Sequence, residues 1–333
     1  MCKKMSLPTV KIAVSKSDIS SADNYSPHLR NIRNNQITLN FGRDHSEPYN
    51  RKSTLKELTA ALSSTEASAP GEDNILYEML KHLPEEAKKL FLKINKIWET
   101  GVLPKTWKVA IIIPAKKPNK DAYQATSYRP IALTSCVCKL MNKMINTRLF
   151  WHLENKELLS PFQYGFCKNR CTLDPLLRLS NLVKQGFVNQ CQTIGVFFDL
   201  EKAYDTTWQH CILMKLYNMG IQENMINFIN SFLSERFSKV RVGNTHSNPF
   251  LQLEDVPQGS VLSVTCFAIA INDILDVISP PVKGSLFVDD FALYCTGYDT
   301  KSVCAYMQKS IDKVSKWADD DGFRFSASKT VGI

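Results

Sequence analysis

Leu286-Phe287-Val288-Asp289-Asp290-Phe291-Ala292-Leu293-Tyr294-Cys295 sets two adjacent acids between two apolar runs. That pattern predicts a β-hairpin with a carboxylate pair at its tip. Burying one carboxylate is costly, and burying two side by side is worse unless a cation neutralises them. A hard divalent ion is the natural partner, since Mg²⁺ binds through one or two carboxylates together with substrate phosphates. Alone, the pair also reads as an ordinary solvated turn, so its meaning depends on a second site.

That site lies 90 residues before Asp289, in Val196-Phe197-Phe198-Asp199-Leu200-Glu201-Lys202-Ala203-Tyr204-Asp205. Here too an acid closes a buried-looking strand. Strand-borne acids so far apart in the chain meet only through tertiary structure. Together they would hold two metals roughly 3.5–4 Å apart, which clamps the attacking and leaving oxygens of phosphoryl transfer.

These blocks, F-D-x-x-x-A-Y-D at 198–205 and F-V-D-D at 287–290, resemble palm motifs A and C of the reverse transcriptases of non-LTR (LINE-type) retrotransposons. Other blocks follow in that family's order. Ala69 to Ile75, with Leu80 to Pro84, resembles its opening segment, and Tyr128-Arg129-Pro130-Ile131-Ala132-Leu133 resembles its fingers motif. Gln163-Tyr164-Gly165-Phe166 with Arg170 and Thr172 is similar to the next block. Val256-Pro257-Gln258-Gly259-Ser260-Val261-Leu262-Ser263 resembles motif B, and Gly322-Phe323-Arg324-Phe325 with Lys329-Thr330 resembles motif D. Seven blocks in order are far more specific than any one, and the chain is identified as a member of this family.

Composition sets looser bounds. With 333 residues, 44% of them hydrophobic, the chain can bury a sizeable core. A net charge of +9 suits a polyanionic partner, as it does many ordinary basic proteins. The ten cysteines contain no C-x-x-C, so zinc ligation is not expected, and free thiols in a reducing compartment, nucleus or cytoplasm, are. No apolar run approaches the ~20 residues of a membrane span, and no secretory h-region is present.

Residues 1–53 are polar and aperiodic and read as an arm or linker. Order is expected to begin at Thr54, three residues before Glu57 in a capping-box pattern. Helical spacing runs through 138–153, 173–187, 208–219, 222–234, 261–277 and 301–319, with buried-looking strands at 108–114 and 196–199. Val240 to Val242 and Phe250 to Leu253 suggest a hairpin. The fold class is therefore α+β. The resemblance implies a polymerase right hand over 54–333: fingers about 54–190 and part of 205–260, palm about 191–333, truncated before the thumb. It also leads one to expect an endonuclease domain, which nothing before residue 50 resembles.

The resemblance also supplies roles. Asp199 and Asp289 correspond to ligands of two Mg²⁺ ions, for which Mn²⁺ can substitute; Asp290 is a more peripheral ligand and Leu200 contributes its backbone carbonyl. Tyr204 corresponds to the ring under the incoming sugar that rejects a 2′-hydroxyl; read bare, it is a core tyrosine. Gln258 and Gly259 correspond to the nucleotide- and template-contacting turn of motif B, although Val264 stands where proline is frequent. Arg129 and a lysine, Lys116 or Lys117, are the cations implied for the triphosphate. Lys329 corresponds to a general acid for pyrophosphate, and Arg170 and Lys168 are plausible template contacts. Cys167 and Cys171 stand where the family usually has basic and serine-like residues.

The implied reaction is RNA-directed DNA synthesis: attack of a primer 3′-hydroxyl on a dNTP, over an RNA template gripped by shape and phosphates. Two alternatives stand beside it. An RNA-templated RNA polymerase shares the paired acids, but Tyr204 and Val288 argue against it. A truncated, inactive transposon relic that at most binds RNA would retain the motifs if truncation were recent.

Overall fold

The computed structural model describes residues 47–124, 127–252, 256–257 and 259–333. The arm over 1–46, Gln258 and the expected end of the hairpin at Leu253 lie outside them. In chain order the helices are α1 (Leu55–Ser63), α2 (Tyr77–Lys81), α3 (Glu85–Phe91), α4 (Asn95–Thr100), α5 (Cys136–Asn155), α6 (Leu173–Val188), α7 (Gln209–Asn218), α8 (Glu223–Leu233), α9 (Val261–Ile271) and α10 (Thr300–Asp321). The strands are β1 (Val109–Lys116), β2 (Tyr128–Leu133), β3 (Gln192–Asp199), β4 (Arg236–Val242), β5 (Thr245–His246), β6 (Phe250–Gln252), β7 (Lys283–Phe287), β8 (Asp290–Gly297) and β9 (Val331–Gly332).

Two sheets result. One orders its strands β2-β1-β4-β5, with β6 also on β4; β1 runs antiparallel to β2 and parallel to β4. The other has the order β7-β8-β3-β9 with every pair antiparallel. The mixed α and β content fits a polymerase fold. The expected hairpin is split: β4 turns through Gly243-Asn244 to β5, and β6 returns to the first half of β4. Helical spacing to residue 277 overran α9, which passes at Asn272 into a 3₁₀ turn ending at Leu275.

The main core lies between α5, α7, α8, α9 and the β7-β8-β3-β9 sheet, while a smaller one gathers α1, α2 and the first half of α5. α9 has almost no polar face (Phe267, Ile269 and Ile271 are fully buried) because it packs against both α5 and α7. Among the described residues no helix is long and apolar enough to cross a membrane.

Residues 49–53, placed with the arm by composition, belong to the folded body. Tyr49 is buried, the Trp98 indole donates to the Asn50 carbonyl at 3.0 Å, and the Ser53 amide donates to Asn95 Oδ1 at 2.7 Å. Backbone carbonyls bind this stretch, and side-chain polarity does not report on those. Most of them converge on Arg148 of α5, which donates to the Tyr49, Arg51 and Lys52 carbonyls and bidentately to Glu57 at 2.9 and 2.8 Å. Glu57 simultaneously completes the capping box with Thr54.

Burial alone would raise the Glu57 carboxyl, but the Arg148 and Thr54 hydrogen bonds bring it down to about 2. A depressed carboxyl adds stability above its ordinary value near 4.5, and that stability is lost as pH falls toward 2. Glu57→Gln is expected to flatten the acid limb of a melting-temperature series in this window. The effect is on the order of 2 kcal/mol after screening at a partly exposed side chain. Parallel acid limbs in both proteins would refute it.

Candidate active site

β3 and β8 pair in unbroken register from Gln192 opposite Gly297 to Asp199 opposite Asp290. The ladder therefore ends with two carboxylates side by side. β7 pairs Phe287 with Asp290, so Val288-Asp289 forms the two-residue turn that brings a third acid to the same end. Phe198, Phe291 and Phe325 pack beneath, with Phe198 4.9 Å from Phe325 and 5.4 Å from Phe291. This apolar floor fixes the strands that carry the acids.

Like charges directly opposite on a sheet repel. Burial first, then Asp289 and Asp199, push the Asp290 carboxyl above the ordinary aspartate range. The cluster is short of positive charge, and a single side chain answers it among the polar contacts of Asp199: Lys329 Nζ donates to Asp199 Oδ2 at 2.8 Å. That hydrogen bond raises the Lys329 ammonium above the usual lysine range. Lys329 is set there by the turn from Ser326, whose amide donates to the Asp199 carbonyl at 2.8 Å, and by β9 pairing with β3. Among the described residues no three His, Cys, Asp or Glu side chains stand preassembled around a metal position. The donor chemistry nevertheless fits a hard divalent cation, because the acids are all oxygen donors and repel one another as they stand.

Residues 201–206 run as successive turns rather than a helix start, pinned by the Glu201 amide donating to the Arg324 carbonyl at 2.9 Å. The accompanying bridge uses the Asp199 carbonyl and Glu201 amide, which leaves the Leu200 carbonyl outside it. Tyr204 stacks on Phe267 of α9 with ring centroids 4.5 Å apart. Burial, with Asp289 nearby, pushes its hydroxyl up to about 12, so it is a neutral phenol.

Two contacts seat the motif B segment. The Val256 amide donates to the Tyr204 carbonyl at 3.1 Å. Gly259 has φ +106°, and a Cβ there would meet the Ala132 carbonyl of β2 at 3.2 Å. Glycine is needed both for its conformation and for the close approach. Asn142 of α5, fully buried, donates to Ser260 Oγ at 3.1 Å and fixes the start of α9.

Residues 115–333 match the family described as reverse transcriptase (RNA-dependent DNA polymerase). The chain belongs to this family. It is 28% identical over 286 residues to the RNA-directed DNA polymerase from mobile element jockey of Drosophila melanogaster, covering 84% of this chain and 31% of that protein. The probable RNA-directed DNA polymerase from transposon X-element of the same organism is 24% identical over 339 residues, covering 96% and 37%. The retrovirus-related Pol polyprotein from type-1 retrotransposable element R2 of Popillia japonica is 25% identical over 254 residues, covering 72% and 34%. The chain thus spans about a third of the length of these relatives.

The fold draws the reverse-transcriptase blocks together unevenly. Asp199, Asp289, Asp290, Tyr204 and Lys329 share one end of the β3-β8 ladder, while Gly259 lies against β2. Arg129 and Lys116 do not share a face. Lys116 is opposite Tyr128 and Arg129 is opposite Ala115, so strand alternation sends the two cations to opposite sides of the hairpin. The Lys117 amide continues the ladder to the Ser127 carbonyl at 2.8 Å, which puts Lys117 on the Arg129 side. Arg170, read as a template contact, donates inward to the Ser160 carbonyl at 2.9 Å and to the Gln163 carbonyl. Asn142 went unnoticed in the sequence, its one signal being an amide on the apolar stripe of a long helix.

Proposed function

We propose that this chain is the polymerase module of a non-LTR retrotransposon, catalysing RNA-directed DNA synthesis with 54–190 and part of 205–260 as fingers and 191–333 as palm. The pairing of Asp199 with Asp290 beside the Asp289 turn carries the reading. Membership of the reverse transcriptase family and the names of its relatives support it.

Asp199, Asp289 and Asp290, with the Leu200 carbonyl, would hold two divalent cations, Mg²⁺ or Mn²⁺. Such ions supply the charge that activates a primer 3′-hydroxyl and offsets that of the departing pyrophosphate. The chain's own residues position and discriminate. Arg129, with Lys117 on its face or Lys116 across the strand, offers donors to the triphosphate. Gln258 and Gly259 are the proposed contacts to nucleotide and template. Lys329 is the proposed general acid: it gives its proton to the pyrophosphate oxygen, takes one back from water and then re-pairs with Asp199. RNA template, DNA primer and dNTP are the proposed partners.

The deciding experiment is oligo(dT)-primed extension on poly(rA) with Mg²⁺, comparing dTTP with UTP. Incorporation of dTTP alone supports the proposal. Incorporation of UTP as readily would favour an RNA polymerase, and no incorporation would favour a relic. Tyr204→Val tests the sugar gate separately. Phe267 supports the ring from one side, so removing it opens room for a 2′-hydroxyl. Preference for dTTP over UTP should fall by roughly 10–100-fold, the size of effect available to a steric pocket. Unchanged selectivity would return Tyr204 to the core.

A further inference from the structure

The loop between α5 and α6 carries no chemistry, yet it is bonded to the hairpin that holds Asp289. We infer that residues 160–170 form a buttress that fixes the backbone of the Val288-Asp289 turn, with Gly165 and Arg170 as positioning residues for Asp289. This rests on the proposed role of Asp289 above.

The Leu286 amide donates to the Phe162 carbonyl at 3.0 Å, and the Tyr164 amide donates to the Leu286 carbonyl at 2.8 Å. Gln163 thus forms a parallel bridge to Leu286 and covers the outer edge of β7 just before the turn. The following residue lies against the turn itself. A Cβ on Gly165 would stand 2.4 Å from Val288 N and 2.7 Å from Val288 Cγ2. Real Cβ atoms do not approach a backbone nitrogen so closely, so any side chain at 165 must move the turn.

Val288 sits at φ +58°. For a β-branched residue that conformation is strained, and it persists only where the surroundings over-determine it. The buttress supplies the surroundings and is itself held from three sides. Arg170 donates to the Ser160 and Gln163 carbonyls. The Gln163 side-chain carbonyl, fully buried, accepts from the Gly165 amide at 3.0 Å. The Arg178 guanidinium of α6 lies 3.7 Å over the Phe162 ring. None of these groups needs to touch the Asp289 carboxylate. Each acts on it through the Val288–Asp289 peptide, because a shift of the Val288 nitrogen re-aims the acid.

The test compares the 333-residue chain with its Gly165→Ala, Arg170→Met and Arg170→Lys variants, with Asp289→Asn as control. Amide hydrogen exchange is followed over 283–297, and Mn²⁺ binding is followed by electron paramagnetic resonance. Gly165→Ala and Arg170→Met should exchange at least about tenfold faster at Leu286 to Asp290, with the β8 amides from 291 to 297 unchanged. They should also bind Mn²⁺ at least about fivefold more weakly, and Arg170→Lys should recover part of both losses. In active protein kcat should fall with little change in the KM for primer-template. Native exchange and native Mn²⁺ affinity in folded Gly165→Ala and Arg170→Met would overturn the inference. Were Gly165→Ala not to fold, Arg170→Met decides alone. Were wild type and Asp289→Asn to bind Mn²⁺ equally, the metal role of Asp289 would fail instead, and the exchange pattern would still decide the buttress.

Discussion

Asp289→Asn is expected to lower nucleotide incorporation at least about a thousandfold while leaving the protein folded and no less stable. Asparagine keeps the shape of the turn and removes only the charge. A loss of that size is about 4 kcal/mol of transition-state stabilisation, within what one charged group contributes in a preorganised site. Stability should hold or rise, because Asp289 is one of the groups that push Asp290 upward and, among the described residues, forms no ion pair of its own. Asp199→Asn should lose as much activity. It differs in also giving up the Lys329 contact, an exposed pair that contributes little to folding. Single-nucleotide primer extension with a melting curve on each variant checks both claims. Activity within tenfold of wild type in either would remove that aspartate from the metal assignment.

Substituting these acids without unfolding the chain is possible because the strands beneath them are secured elsewhere, and the sequence shows this only in part. An apolar run ending in an acid is a local pattern, so β3 and the β7–β8 hairpin could be read directly, as could α5, α6 and α10 from helical spacing. Pairings between distant segments leave no periodic trace. Nothing in Gln163-Tyr164-Gly165 announces that it joins β7, nor in Val109 to Ile112 that it runs parallel to β4. Charged side chains were the least legible. Arg170 reads as a template contact and Arg148 carries no signal at all, yet both donate to backbone carbonyls that no composition argument can see. Lys329 could be placed by resemblance to motif D, but its contact with Asp199 required β9 to fold back on β3.

Lys215 is the furthest such case, and it carries the second large effect. On α7 nothing in the sequence marks it out. In the fold it is nearly buried, donating to the Ala270 carbonyl at 2.5 Å, to Asp273 at 2.6 Å and to Asp321. Trp317 donates to the same Asp273 oxygen at 3.0 Å, and its ring lies 5.1 Å from the ammonium. Burial works against the Lys215 charge, but the negative groups around it outweigh that and raise its pKa. One cation thereby joins the helix after motif A (α7), the end of the motif B helix (α9) and the helix leading to motif D (α10).

Lys215→Met preserves most of the volume but strands the part-buried Asp321 beside the exposed Asp273, so the cost should fall at or below the low end of the roughly 3–5 kcal/mol for breaking a fully buried pair. Chemical denaturation should show that loss, and polymerisation should fail at a lower temperature than in wild type. The pH dependence fixes the cause. Burial already raises the Asp321 carboxyl with Lys215 in place, and removing the cation raises it further, so the variant keeps stability below the ordinary aspartate value and loses more of it than wild type does as pH rises. The deficit relative to wild type should therefore shrink toward acid pH. Adding Asp321→Asn should restore part of it at neutral pH, where the neutral amide needs no counter-ion. A deficit independent of pH and untouched by the second substitution would mean that Lys215 acts by packing alone.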